Sequence, residues 1–208
     1  MFRPFRLGGI IAGLVLVAFG VGAIVIGLAG RSEVNDTVAQ EQIVGSPDMN
    51  PTLIAVAAKQ AGLTVALPTC DVAGKAITNG TDAKCFSEYM RIHALEATGG
   101  KTYAQMPQYA TADGSGTNAK AKALVDPKTS GPQSNPARQI WISETALGTA
   151  LKTSYFAASV GLFSIVMGCA LLLTGGGFIV LSTGLLSRTG LRRRRPSRAA
   201  QLAKPAAV

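Results

Sequence analysis

The chain has 208 residues, of which 20 are Lys or Arg, 11 are Asp or Glu and 48% are hydrophobic, and its formal net charge is +9. A mean hydropathy of +0.30 with only 15% charged residues excludes a disordered chain and is too apolar for an ordinary soluble enzyme. One His, one Trp and 6% aromatic residues leave little material for a catalytic centre.

A short basic start, residues 1–6 with Arg3 and Arg6, precedes 24 uncharged residues from Leu7 to Gly30. About 20 apolar residues at 1.5 Å rise cross a bilayer core, so this run is predicted to be a first transmembrane helix over 7–30. A cleaved secretory signal would have a shorter core, of roughly 7–15 residues, and a small-x-small end. Leu28-Ala29-Gly30 matches that end poorly, so a retained anchor is expected. Phe2 stands where N-terminal acylation needs glycine, and no Cys follows the run as in a lipoprotein.

The next 122 residues, 31–152, hold eleven basic and all eleven acidic side chains. Helix is predicted to continue from Ser32 to Ile43. A second helix starts at Asn50-Pro51, a cap followed by proline at the first helical position, and stops at Gly62. Leu63 to Leu67 reads as a short strand. A third helix over about Lys84 to Thr98 places Phe86, Tyr89, Met90, His93 and Ala97 on one face and ends at Gly99-Gly100. Cys70 and Cys85 are expected to form a disulfide, closing a loop of about 15 residues worth up to about 3 kcal/mol. It would tie the turn-rich stretch around Asn79-Gly80 to the start of the third helix. Residues 107–136, rich in Pro, Gly, Ser, Thr and Lys, read as a flexible polar loop.

Asn135 then caps Pro136, and one long helix is predicted through Trp141, Leu147 and Leu151 into a second uncharged run, Thr153 to Ser187. Tyr155 and Phe156 fall where interfacial anchors belong. Trp141, 14 residues earlier and about 21 Å away along the helix, is expected in the core of the outer domain. Gly175-Gly176-Gly177 reads as a bend or weak point, and Cys169 as a packing residue. The tail, 188–208, carries Arg192, Arg193, Arg194, Arg195 and Arg198. No aromatic residue interleaves with these arginines to stack bases, so no nucleic-acid partner is expected; they are expected to touch anionic lipid headgroups.

Because the middle segment is neutral, the whole net charge resides in nine cations at the two ends: Arg3, Arg6, Arg188, Arg192, Arg193, Arg194, Arg195, Arg198 and Lys204. Lys and Arg beside a span bias that side to the cytoplasm. Both termini are therefore expected inside and 31–152 outside.

Chemistry-bearing motifs are few. Thr98-Gly99-Gly100-Lys101-Thr102 resembles the end of a phosphate-binding loop, but Leu95 stands where its first glycine should be, so a helix stop is expected. Gly114-Ser115-Gly116-Thr117-Asn118-Ala119 lacks a preceding strand and reads as loop. The single histidine, His93, is read as a satisfied, partly buried side chain on its helix face. No catalytic, cofactor or metal residue is assigned, and no cofactor is expected. Neither span contains an ionisable Asp, Glu, Lys, Arg or His, which argues against a carrier or pump. The spans do carry small residues at i, i+4: Gly9 and Gly13, Ala18 and Gly22, Ala23 and Gly27, Ala157 and Gly161, Ser164 and Gly168. Such faces let helices approach closely, and more of them are present than one hairpin uses.

The stretch Tyr89-Met90-Arg91-Ile92-His93-Ala94-Leu95-Glu96-Ala97-Thr98-Gly99-Gly100-Lys101-Thr102-Tyr103, together with Glu144-Thr145-Ala146-Leu147-Gly148-Thr149-Ala150-Leu151, resembles small two-span actinobacterial membrane proteins. The similarity covers most of residues 31–185. Some members of that family bear the name aromatic ring-opening dioxygenase. One histidine does not supply the two-His-one-carboxylate iron site such chemistry uses. In layout the chain is also similar to accessory subunits of the actinobacterial respiratory supercomplex.

The expectation is a mainly α protein, a two-helix transmembrane hairpin over 7–30 and 153–187 with a small, mostly helical, disulfide-stapled extracytoplasmic domain. Its expected role is a non-catalytic accessory, scaffold or assembly subunit of a larger membrane complex, respiratory in context. Its partners would be other membrane-protein helices and an extracytoplasmic protein surface. The alternative is an extracytoplasmic sensor or ligand-binding protein signalling through the hairpin.

Overall fold

The computed structural model describes residues 3–184; the predicted lipid contacts of Arg192, Arg193, Arg194, Arg195 and Arg198 lie outside the described residues. Among the described residues there are four α-helices and no β-strand: α1 (Arg3–Gln40), α2 (Pro51–Gln60), α3 (Gly80–Ala97) and α4 (Pro136–Thr183). α1 and α4 are both long and apolar enough to cross a membrane. At 1.5 Å per residue, α4 with its 48 residues is about 72 Å long, more than twice a bilayer core of about 30 Å. The chain divides into two compact units, one of residues 1–27 with 163–208 and one of residues 28–162.

In the first unit the two long helices run antiparallel, Gly9 beside Ser182, Gly13 beside Gly175 and Gly20 beside Gly168. These contacts have no room for side chains. A Cβ added at Gly13 would lie 2.6 Å from the Gly175 carbonyl oxygen, and one at Gly168 would lie 2.6 Å from that of Gly20. Helix assignment runs unbroken through Gly175-Gly176-Gly177, read above as a bend. Gly175 is instead a point of close approach. The outward side chains are large and apolar, Phe19, Ile26, Phe163, Leu173 and Leu181 among them, and more than half of each is exposed. Arg6 donates to the carbonyls of Ser182 and Thr183, satisfying acceptors that the last turn of α4 leaves free.

The second unit is built on capped short helices. The Asn50 side chain accepts from the Leu53 amide, with Pro51 at the first helical position, as its sequence implies. Asn79 does the same for α3, accepting from the Thr81 and Asp82 amides. α3 therefore begins four residues earlier than its apolar periodicity suggests: Asn79-Gly80 is a cap, not part of a turn. Gly80 is required there by close approach, since a Cβ would meet the Ser154 carbonyl oxygen of α4 at 2.9 Å. The helix ends as expected, with Gly99 at φ 61° and the Gly100 amide bonded to the Leu95 carbonyl. Asn135 accepts from the Ala137 amide at the start of α4.

The core gathers Val38 of α1, Ile54 and Ala58 of α2, Tyr89 and Ile92 of α3, and Leu151 of α4 around Val72 and Ile77. A second cluster holds Ala94, Leu95, Met106 and Trp141, so Trp141 is a core residue as expected. The Cys70–Cys85 disulfide is present. It enters α3 inside the helix, on its second turn, and not at its start. Tyr89 donates to the Cys70 carbonyl beside it. Leu63–Leu67 is not a strand: among the described residues none pairs with it in a ladder, and Leu63 and Leu67 pack on the core. Residues 107–136 are cross-connected by backbone hydrogen bonds, Tyr109 with Thr117, Ala110 with Gln133 and Leu124 with Ala110. Tyr109 is buried among them.

Candidate functional site

Two features stand out, one in each unit. The first is an open groove of about 860 Å³ in the second unit. Met90, His93, Ala94 and Ala97 form one wall, spaced along a single face of α3. Gln139, Ile140, Ser143 and Glu144 form the other, along one face of α4, and Ser46, Asp48, Met49 and Pro136 complete the lining. The volume lies in the range of small-molecule sites.

Its ionisable groups are acidic apart from one imidazole. His93 Nδ1 lies 3.4 Å from Glu96 Oε2, and Nε2 lies 3.6 Å from Asp48 Oδ2. Nε2 is buried and without a hydrogen bond among the described residues. His93 is thus partly buried, as read from its helix face, but faced by a carboxylate on each side. The Ser46 hydroxyl donates to Asp48 Oδ1. That bond, with a smaller contribution from His93, holds the Asp48 carboxyl below the ordinary aspartate value of 3.8 despite partial burial. Ser46 therefore serves Asp48 and does not form a nucleophile with His93. Among the described residues no three His, Cys, Asp or Glu side chains converge as metal ligands.

Glu144 is the unusual member. It is 5% exposed, and among the described residues its carboxyl accepts from the neighbouring Thr145 hydroxyl at 3.3 Å. Among the described residues no Lys or Arg is ion-paired with it. Gly148, one turn on, lies against the carboxyl: a Cβ there would stand 3.4 Å from Glu144 Oε1. Three cations of this unit lie over aromatic rings, Lys84 over Tyr155, Arg91 over Trp141 and Arg138 over Tyr103.

The second feature is the distribution of small residues on the long helices. Gly9, Gly13 and Gly168 are used inside the antiparallel pair, together with Gly20 and Gly175, which i, i+4 spacing does not reveal. The signal that finds them is a spacing of seven: Gly13 and Gly20 on one helix, Gly168 and Gly175 on the other, all four buried. Seven residues in two turns is the repeat of a continuous helix–helix seam. Ala18, Gly22 and Ala23 lie off that seam. With Phe19 and Ile26 they line a shallow apolar furrow of about 430 Å³, and nothing stands within 4 Å of a Cβ built at Gly22. Ala157 lines a separate recess with Gly30, Glu33, Val34, Thr37, Thr153 and Ser154, and Ser164 is half-buried.

Compared with protein-family models, with curated proteins and with solved structures, the chain has no match.

Proposed function

We propose that the chain is a non-catalytic two-span membrane protein that acts as an accessory subunit of a larger membrane complex. In this reading α1 and α4 form a transmembrane hairpin with both ends on the cytoplasmic side. The disulfide-bearing domain then stands outside, where such bridges persist. The charge pattern supports the orientation, because the cations in excess of acids all lie at the two ends of the chain. Respiratory assembly is the context favoured by the layout of two spans and a small outer domain.

The observation that carries the reading is the furrow at Ala18, Gly22 and Ala23. The intramolecular pair consumes the glycine heptads and leaves this second small-residue face uncovered. Small residues let a further helix approach to backbone distance, where dispersion and packing drive association in lipid.

Purification of the full chain in mild detergent, followed by mass spectrometry, tests this. Stoichiometric recovery with other membrane subunits, lost in Gly22→Leu but retained in Leu173→Ala, is the expected result. A free monomer or homodimer would refute it. A periplasm-active reporter fused near Asp113 should be active; silence there would overturn the orientation.

A further inference from the structure

We infer that the groove between α3 and α4 is a binding site for a small lipophilic amine: an apolar body of drug-like size carrying one protonated nitrogen. This is independent of whether the spans have a protein partner, since it rests on the second unit only.

Three observations converge. The groove has room for a ligand of that class, about 860 Å³, with Met49, Met90, Ala94, Ala97 and Ile140 supplying apolar wall. Its charge is one-sided: Asp48 and Glu144 line it, and no Lys or Arg does. The one basic lining group, His93, is flanked by Asp48 and Glu96. Finally, Glu144 is buried without a cation. An acidic side chain taken out of water is costly unless a positive group or good donors compensate it. Here no Lys or Arg is ion-paired with it among the described residues, and the one donor that reaches it, the Thr145 hydroxyl, stands at a long 3.3 Å. An ammonium seated against Glu144 would complete the missing pair while its hydrocarbon covers the methionines.

The polar end of the ligand would therefore lie against Glu144 and within reach of the Ser143 and Gln139 side chains. The apolar end would extend along Ala94 and Ala97 of α3. A neutral molecule of the same shape would gain the apolar contacts alone. An acid of the same shape would be repelled by both carboxyl groups.

The test uses the full chain in phosphatidylcholine nanodiscs, whose lipid carries no primary amine, with isothermal titration calorimetry. The probes are 4-phenylbutylamine, 4-phenylbutanol and 4-phenylbutyrate. The expected result is single-site binding of the amine, at least tenfold tighter than the alcohol, with no binding of the acid. Glu144→Gln should lower amine affinity at least tenfold and leave alcohol affinity within twofold. Ala97→Trp, an exposed position on the groove wall, should abolish both while retaining the helical circular dichroism. The proposal is overturned by absence of amine binding, by equal affinity for amine and alcohol, or by amine binding unaffected in Glu144→Gln. It is equally overturned if a lysine-bearing amphipathic helical peptide binds in a Glu144-dependent way more tightly than the amine, which would make the groove a protein-docking site.

Discussion

The two units of this chain are held together in opposite ways. In the unit of residues 1–27 and 163–184, packing depends on what is missing: glycines at every seventh position let two backbones meet with carbonyls in van der Waals reach. In the unit of residues 28–162, packing depends on what is added: asparagine caps, a disulfide, a buried tyrosine hydroxyl and close-fitted aliphatic side chains. A helix surrounded by apolar side chains gains little from burying more of them in lipid, so close approach is its main resource. Short helices in water are marginal by themselves and need caps and cross-links.

That contrast predicts which changes hurt each unit. The largest effect should come from opening the staple. Cys70→Ser with Cys85→Ser is expected to cost the second unit about 2–5 kcal/mol, seen as a lower melting temperature of its circular dichroism, matched by reductant on the parent protein. An unchanged melting temperature would show that the caps suffice.

Next is the glycine seam. Gly13→Leu forces a side chain against the Gly175 carbonyl and should cost about 1–3 kcal/mol. In a Cys169→Ser background, cysteines placed at 9 and 182 should cross-link in the parent and fail to in the variant. Gly22→Leu, off the seam, should leave that cross-link intact, which separates the intramolecular contact from the proposed partner contact.

A smaller effect is expected at Tyr89. Burial, reinforced by Asp71 and Glu88, pushes its phenol above the ordinary value of 10.0. The stability contributed by the neutral phenol is complete below pH 10 and is lost as pH rises through the folded-state value. Tyr89→Phe removes the hydrogen bond to Cys70 and should cost about 1 kcal/mol at neutral pH, while flattening the alkaline loss. A pH series of thermal melts measures both.

The smallest effect is at Asp48, whose carboxyl is held low chiefly by Ser46. Its contribution is present above pH 3.8 and fades as pH falls through the lower folded-state value. Ser46→Ala should move the acid limb of the melting profile upward in pH and leave neutral stability nearly unchanged. An acid limb that does not move would remove Ser46 from this role.

Much of this was legible in the residues. Asn50-Pro51 and Asn135-Pro136 announce helix starts because an amide cap and a fixed proline φ act over three residues, with no tertiary partner needed. Gly99-Gly100 announces a stop for the same local reason. Asn79 is ambiguous in the sequence because asparagine before glycine serves a turn and a cap equally well, and only the contact of Gly80 with α4 chooses between them. Leu63–Leu67 looked like a strand because its pattern fits one, yet a strand exists only with a neighbour. The glycine seam was present as a spacing of seven but was masked by the denser i, i+4 pairs around it.

Composition and local pattern alone therefore determined two long apolar helices, the capped short helices and the pairing of two cysteines, since each depends on hydropathy or on neighbours in the chain. The groove was decided by folding. Asp48, His93 and Glu144 come from three distant segments, and only the packing of α3 and α4 around them leaves Glu144 buried with no Lys or Arg paired to it among the described residues. A carboxyl group has no fixed meaning in a sequence, because its energy depends on the dielectric and the charges that tertiary structure places around it.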